Sequence, residues 1–325
     1  MNQMFSNFQL KAISNHRDAI YGISIILVIL YHCYCNSKNY LLNPFAEGFI
    51  GVDIFILLSG YGLCFSYNSR TIKEFYVRRL LRILPVYFTY NILYALVACF
   101  CLKSPLSIED FIYNITTLSY YGLGTYGEGN RCFDWFTAAI LLLYLLFPLS
   151  YKMTLRRGRE IFIILCLFAI FYHRIIPDVP WRIDCLVCRL PIFIFGILLY
   201  HYREEKLGFR NRRGIILFLP IFLYFGFIYS TWFFQTAMIA PFLLIIMSCF
   251  LSLIEKKIVY RCLKYLGKNS YELMVANSWE YQLRFLFPKL FPLNAICFVL
   301  YHLLAQFCFA KITQKFTYFF VKKKL

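Results

Sequence analysis

Two side chains able to move protons sit inside stretches that are otherwise apolar enough to cross a bilayer. His32 closes the run Ala19-Ile-Tyr-Gly-Ile-Ser-Ile-Ile-Leu-Val-Ile-Leu-Tyr-His32, and Asp53 lies near the start of Phe49-Ile-Gly-Val-Asp-Ile-Phe-Ile-Leu-Leu-Ser-Gly-Tyr-Gly-Leu63. A charge near mid-bilayer costs roughly 2.5–3.5 kcal/mol even on lenient insertion scales, so such residues mark a site by default. An imidazole and a carboxylate are the pair that general-base catalysis uses: the acid orients the ring, and the ring takes a proton. Plainer readings stand beside this one. His32 can be an interfacial histidine, and Asp53 an acid favoured by the helix dipole or one that holds neighbouring helices together.

The elements that must position these residues are membrane spans. The chain is 61% hydrophobic, 21% aromatic and 15% charged, against about 25% charged in a soluble domain. Its net charge of +18 is concentrated in short connections between apolar runs, which is the signature of topology and not of a nucleic-acid-tracking face. No nucleic-acid partner is expected. Windows long enough to span fall at 18–36, 49–67, 83–102, 133–151, 160–175, 183–201, 214–231, 235–254, 270–287 and 293–318. The expected fold is all-α, a polytopic membrane protein of about ten transmembrane helices in one domain covering 1–325. Most of the 34 lysines and arginines fall in alternate connections and at the two ends, so the positive-inside rule puts both termini in the cytoplasm. No small-x-small cleavage site follows the first span, which argues against a removed signal peptide.

Orientation sets depth. His32 lies roughly 21 Å along an outward first helix, and Asp53 roughly 6 Å along an inward second one, so both fall in the outer half of the bilayer. The outer loop 103–132 contains Ser107-Ile-Glu-Asp-Phe-Ile-Tyr-Asn-Ile, expected to be a short amphipathic helix capped by Ser107, with Glu109 and Asp110 in its first turn. The glycine-rich stretch 122–130 after it reads as a hinge. Arg189, about six residues into the sixth span, is placed to bind an acidic sugar or steady an oxyanion. Glu280 and Arg284 are spaced to pair with each other. Ser59 reads as packing. The 13 cysteines are scattered as small hydrophobes, and the single Cys185-x-x-Cys188 has no second ligand pair, so no metal site is expected.

Gly51-Val-Asp-Ile-Phe-Ile-Leu-Leu-Ser-Gly-Tyr-Gly62 resembles the second-helix signature of the acyltransferase-3 family of membrane acyltransferases. The run from Arg17 to His32 is similar to that family's first helix, which ends in its proposed catalytic histidine. Phe75-Tyr-Val-Arg-Arg-Leu-Leu-Arg-Ile-Leu-Pro-Val-Tyr87, Arg189-Leu-Pro-Ile-Phe-Ile-Phe-Gly196 and Leu266-Gly-Lys-Asn-Ser-Tyr-Glu-Leu273 resemble later landmarks, in order and at matching spacing. The resemblance implies transfer of an acyl group, commonly acetyl, from acyl-CoA to a hydroxyl of a surface glycan or lipid-linked sugar precursor. It implies no permanently bound cofactor, with acetyl-CoA as donor substrate. His32 and Asp53 would be catalytic, and Arg79 and Arg82, at i and i+3, would clamp CoA phosphates. The alternative for that pair is ordinary topology determination.

Departures from the family pattern name further supporting candidates. Tyr21 stands where the family often has arginine, with Arg17 one turn earlier. Asp134 precedes Trp135, but Ile140 and its neighbours include no glutamate. Asn277 replaces the histidine common in the ninth helix. Arg17, Tyr21, Asp134, Arg189, Asn277 and Glu280 are therefore taken as acceptor-site or supporting residues. The expected location is a bacterial cytoplasmic membrane, with lipid and the glycan acceptor as partners. The competing class is a non-enzymatic transporter or flippase for a glycan or lipid intermediate, in which His32, Asp53 and Arg189 would line a relay. The lack of paired interrupted helices argues against common transporter folds.

Overall fold

Backbone in hydrocarbon has no water to bond, so apolar runs of this length must fold as helix. The computed structural model describes residues 12–37, 40–101, 107–121, 134–176, 181–202, 232–286 and a few positions between 304 and 315. Among the described residues the regular structure is helical, with no strands. The helices are α1 Ala12–Ser37, α2 Ile50–Asn68, α3 Ile72–Cys101, α4 Ile108–Ile115, α5 Trp135–Ile175, α6 Trp181–Val187, α7 Leu190–His201, α8 Trp232–Ile254, α9 Ile258–Lys268 and α10 Ser270–Leu286. Five candidate membrane spans lie among them: Ile13–Cys35, Tyr40–Asn68, Trp135–Tyr172, Ile183–His201 and Phe233–Ile254. The window 214–231, most of 293–318 and the hinge 122–130 lie outside the described residues.

Contacts divide the chain into two units. The first comprises Met1–Ser24, Ile50–Thr71 and Leu146–Gly267; the second comprises Ile25–Phe49, Ile72–Leu145 and Lys268–Leu325.

In the first unit α2 packs on α7 and α8. Two glycines make the α2–α7 approach possible. A Cβ on Gly60 would be driven into the Phe193 carbonyl oxygen, and one on Gly196 into that of Leu57. Small residues at a membrane helix crossing let the backbones touch, where lipid supplies no hydrophobic drive between helices. A second reciprocal pair joins α1 to α9: Gly22 lies on the Leu263 carbonyl and Gly267 on that of Asp18.

The fourth and fifth windows appear as one helical stretch, with a single non-helical residue, Arg157, at φ −141° and ψ 46°. A straight helix of 41 residues would run about 61 Å, twice the hydrocarbon thickness. Ring contacts show that it reverses instead. Phe147 meets Phe193 and Tyr151 meets His201, so this part runs with α7. Beyond Arg157, Arg159 meets Tyr202, Phe162 meets Phe195 and Tyr172 meets Asp184, so that part runs against it. The basic connection between the two windows is thus helical almost throughout, and one residue makes the turn.

In the second unit α3 packs against α10 and α4. Val86, Tyr87 and Tyr90 of α3 are buried with Val275, and Tyr271 packs on them. The expected amphipathic helix is present as α4. Ser107 is its N-cap, and its hydroxyl accepts from the Asp110 backbone N–H at 3.0 Å. Tyr87 Oη donates to the Asn114 carbonyl at 2.5 Å, tying α4 to α3. Helix α3 begins eleven residues before the third window and carries the whole basic segment 75–87.

Candidate active site

His32 stands on α1 in the second unit, and a helical carbonyl one turn back is within reach of its ring. Nδ1 lies 2.9 Å from the Val28 carbonyl oxygen and 3.0 Å from the side-chain nitrogen of Asn277. Nδ1 has only one in-plane bonding position. As an N–H it donates to the Val28 carbonyl, and as a lone pair it accepts from the Asn277 amide. The bond that Nδ1 makes, to Val28 or to Asn277, sets which ring nitrogen carries the proton. The Tyr31 ring packs edge-on to the imidazole, with centroids 5.3 Å apart. Asn277 is buried on α10. The position where the family has a histidine therefore touches His32 directly.

Asp134, also in the second unit, is a helix cap. Its carboxylate accepts from the Thr137 backbone N–H at 3.2 Å and from the Thr137 hydroxyl, and that hydroxyl meets Tyr271 Oη at 2.9 Å. Arg79 and Arg82 lie on α3. Arg79 is half-buried with its guanidinium carbon 6.0 Å from the centre of the Phe75 ring, and Arg82 is exposed. Glu280 is carried by α10, and its side chain lies outside the described residues.

Asp53 and Arg189 meet in the first unit. Asp53 Oδ1 is 2.6 Å from Arg189 Nε, and the two side chains are 0% and 1% exposed. A break at Cys188 and Arg189 separates α6 from α7 and leaves Arg189 as the N-cap residue of α7, where it reaches α2. Its Nη1 donates to the Cys185 carbonyl at 2.9 Å, and its guanidinium carbon is 5.4 Å from the centre of the Phe233 ring on α8. One cation thus ties α2, the α6–α7 break and α8. Of the roles open to Asp53, holding neighbouring helices has this contact to rest on.

Arg17 and Tyr21 also belong to this unit. Tyr21 stacks on Phe55, with centroids 5.2 Å apart and planes 13° apart. The Arg17 guanidinium fills the space that a side chain on Gly62 would need, 3.0 Å from the Cβ position.

Two residues passed over in the sequence carry more than expected. Asp184 is buried and accepts from Tyr172 Oη and, at 3.0 Å, from Cys188 Sγ. The available signal was an intramembrane acid five residues before an intramembrane arginine. His16 is buried, with Nδ1 3.1 Å from Tyr260 Oη and Nε2 3.1 Å from Ser252 Oγ. Burial, then the Glu255 and Asp18 charges, push the Tyr260 phenol up from its ordinary value, which keeps it a donor to the ring. Among the described residues no group of three His, Cys, Asp or Glu side chains is placed to hold a metal.

No curated protein and no solved structure matches the chain. A family match, described as an acyltransferase domain, covers residues 18–279. That range takes in His32, Asp53, Arg79, Arg82, Asp134, Arg189 and Asn277, and it supports acyltransferase activity for a chain with several apolar membrane-length helices. The chain belongs to the acyltransferase-3 family.

Proposed function

We propose that this acyltransferase moves an acetyl group from acetyl-CoA to a hydroxyl of a cell-surface glycan or its lipid-linked precursor. It does so from a bacterial cytoplasmic membrane that it crosses about ten times, with both termini on the cytoplasmic side. The observation that carries the reading is the pairing of the His32 ring with the Val28 carbonyl and the buried Asn277 amide, at the motif position of the family's proposed catalytic histidine. A sugar hydroxyl is a poor nucleophile at neutral pH. Nε2 takes its proton as the oxygen attacks the thioester carbonyl, and the Val28 carbonyl facing Nδ1–H supports the imidazolium that forms. When the tetrahedral intermediate collapses, the carbon–sulfur bond breaks and the CoA thiolate leaves with the proton from Nε2. Arg79 and Arg82 hold the CoA phosphates at the basic end of α3. The motif position of Asp53 gives that residue a catalytic role in this reading, beside the structural one of its ion pair with Arg189.

The test is His32→Ala in a strain lacking the native gene, with the surface glycan analysed by mass spectrometry. Acylation is lost while the protein stays inserted and abundant. Wild-type acylation by a well-inserted His32→Ala protein would sink the general-base role. Unaltered glycan acylation in the deletion strain, with a lipid-linked intermediate accumulating, would indicate a transporter.

A further inference from the structure

Helix α9 presents three distinct faces, and among the described residues one of them is covered by protein. Tyr260, Leu263 and Gly267 are buried. They rest on α1, where Gly267 lies against the Asp18 carbonyl, Leu263 against Gly22, and Tyr260 Oη 3.1 Å from His16 Nδ1. A second face is apolar and exposed: Ile258 is 64% and Val259 52% exposed, and Cys262 is exposed beside them. Between these lies a basic flank formed by Arg261 and Lys264, one turn apart and both exposed, with exposed Lys256 and Lys257 in the turn leading into the helix. Glu255 is the one acid in the segment 255–267.

The position of α9 along the chain decides what those bare faces meet. Three residues separate the end of the apolar span Phe233–Ile254 from the first residue of α9, and the Lys257 backbone N–H turns back onto the Ile254 carbonyl at 2.8 Å. His16 reaches Ser252 in the last turn of α8 and Tyr260 in the first turn of α9, so α9 starts level with the end of the span. Four cations cannot lie in hydrocarbon, and an exposed isoleucine and valine gain nothing from bulk water. Both are satisfied at the headgroup boundary, with the apolar face in the acyl chains and the cations among phosphates.

We propose that α9 is an interfacial helix whose Lys256, Lys257, Arg261 and Lys264 bind the phosphates of anionic phospholipid headgroups. The proposal goes beyond acyl transfer and rests on the topology that makes the basic side cytoplasmic. Continuity with the span and the charge balance select lipid over a soluble partner. The glycine contact with α1 packs the helix backbone closely on its protein side, which leaves the basic flank facing away from α1.

The test is lipid retention by purified protein, read by native mass spectrometry after reconstitution in phosphatidylcholine mixed with phosphatidylglycerol. Wild type retains phosphatidylglycerol in preference to phosphatidylcholine, and high salt weakens that preference. Each cation near an anionic surface contributes about fivefold, so K256Q/K257Q/R261Q/K264Q should lose at least about tenfold of the preference. A charge-keeping variant, K256R/K257R/R261K/K264R, should keep it. Equal preference in wild type and the glutamine variant, or none in wild type, overturns the proposal. If the glutamine variant does not insert, salt-insensitive retention by wild type overturns it alone. A glutamine variant that keeps lipid but loses acyl-CoA binding would make α9 a donor surface instead. Because the readout is bound lipid, its outcome is independent of whether acyl transfer is detected.

Discussion

Removing one partner of the Asp53–Arg189 pair should be far more damaging than removing both. At 2.6 Å and an effective dielectric of 20, the attraction is about 6 kcal/mol. Burying two ions costs several kcal/mol each, so the pair nets little against apolar residues of the same shape. Deleting only the cation in Arg189→Met leaves the Asp53 carboxylate buried without its counter-charge, and the expected loss is about 3–5 kcal/mol. At about 2 °C per kcal/mol for a chain of this size, the Tm falls by about 6–10 °C. Asp53→Leu should do the same. The double variant Asp53→Leu/Arg189→Met should recover most of the loss, giving a coupling of at least about 2 kcal/mol. Thermal unfolding of detergent-purified protein, followed by size-exclusion chromatography, measures all four corners of the cycle. Additive losses would refute the ion-pair argument. Acyl transfer measured on the same samples then separates the roles of Asp53. A double variant that is stable and active makes the acid structural, and one that is stable but inactive keeps it in the catalytic set.

Other perturbations have equally definite outcomes. Asn277→Leu removes the amide facing His32 and should lower kcat by about tenfold or more with an altered pH–rate profile, at the low end of what general-base catalysis supplies. An unchanged profile would return Asn277 to packing. Arg79→Gln/Arg82→Gln should raise the apparent KM for acyl-CoA at least about tenfold, since each charge-assisted contact contributes about 1.5–3 kcal/mol. Lys152→Gln/Arg156→Gln, on exposed residues elsewhere in the basic connections, should leave that KM unchanged, and an equal effect would leave only bulk charge. Gly196→Val drives a side chain into the Leu57 carbonyl and should destabilise by about 1–3 kcal/mol or more, seen as a lower Tm. Wild-type stability would mean that the α2–α7 approach is looser than the glycine geometry requires.

Hydrophobic run length and capping residues depend on residue type alone, so the helical class, an integral membrane chain with several apolar spans and the Ser107-capped helix α4 were legible in sequence. So were the motifs, because Gly51-Val-Asp53 and the run ending in His32 are local strings. The structure decided partners and breaks. Arg189 looked available to a substrate, yet a break at Cys188–Arg189 brings it onto Asp53, a contact between residues 136 positions apart that no local pattern encodes. Asn277 appeared as a lost histidine, and only the packing of its helix shows it at the His32 ring. The segment 152–159 looked like a loop because it is basic, but charge at a membrane boundary is compatible with helix, and a single residue, Arg157, makes the reversal. Composition and period act along the chain and can be read there. Which buried cation meets which buried acid depends on helix rotation and on where glycines let backbones touch, and those are set only when the helices pack.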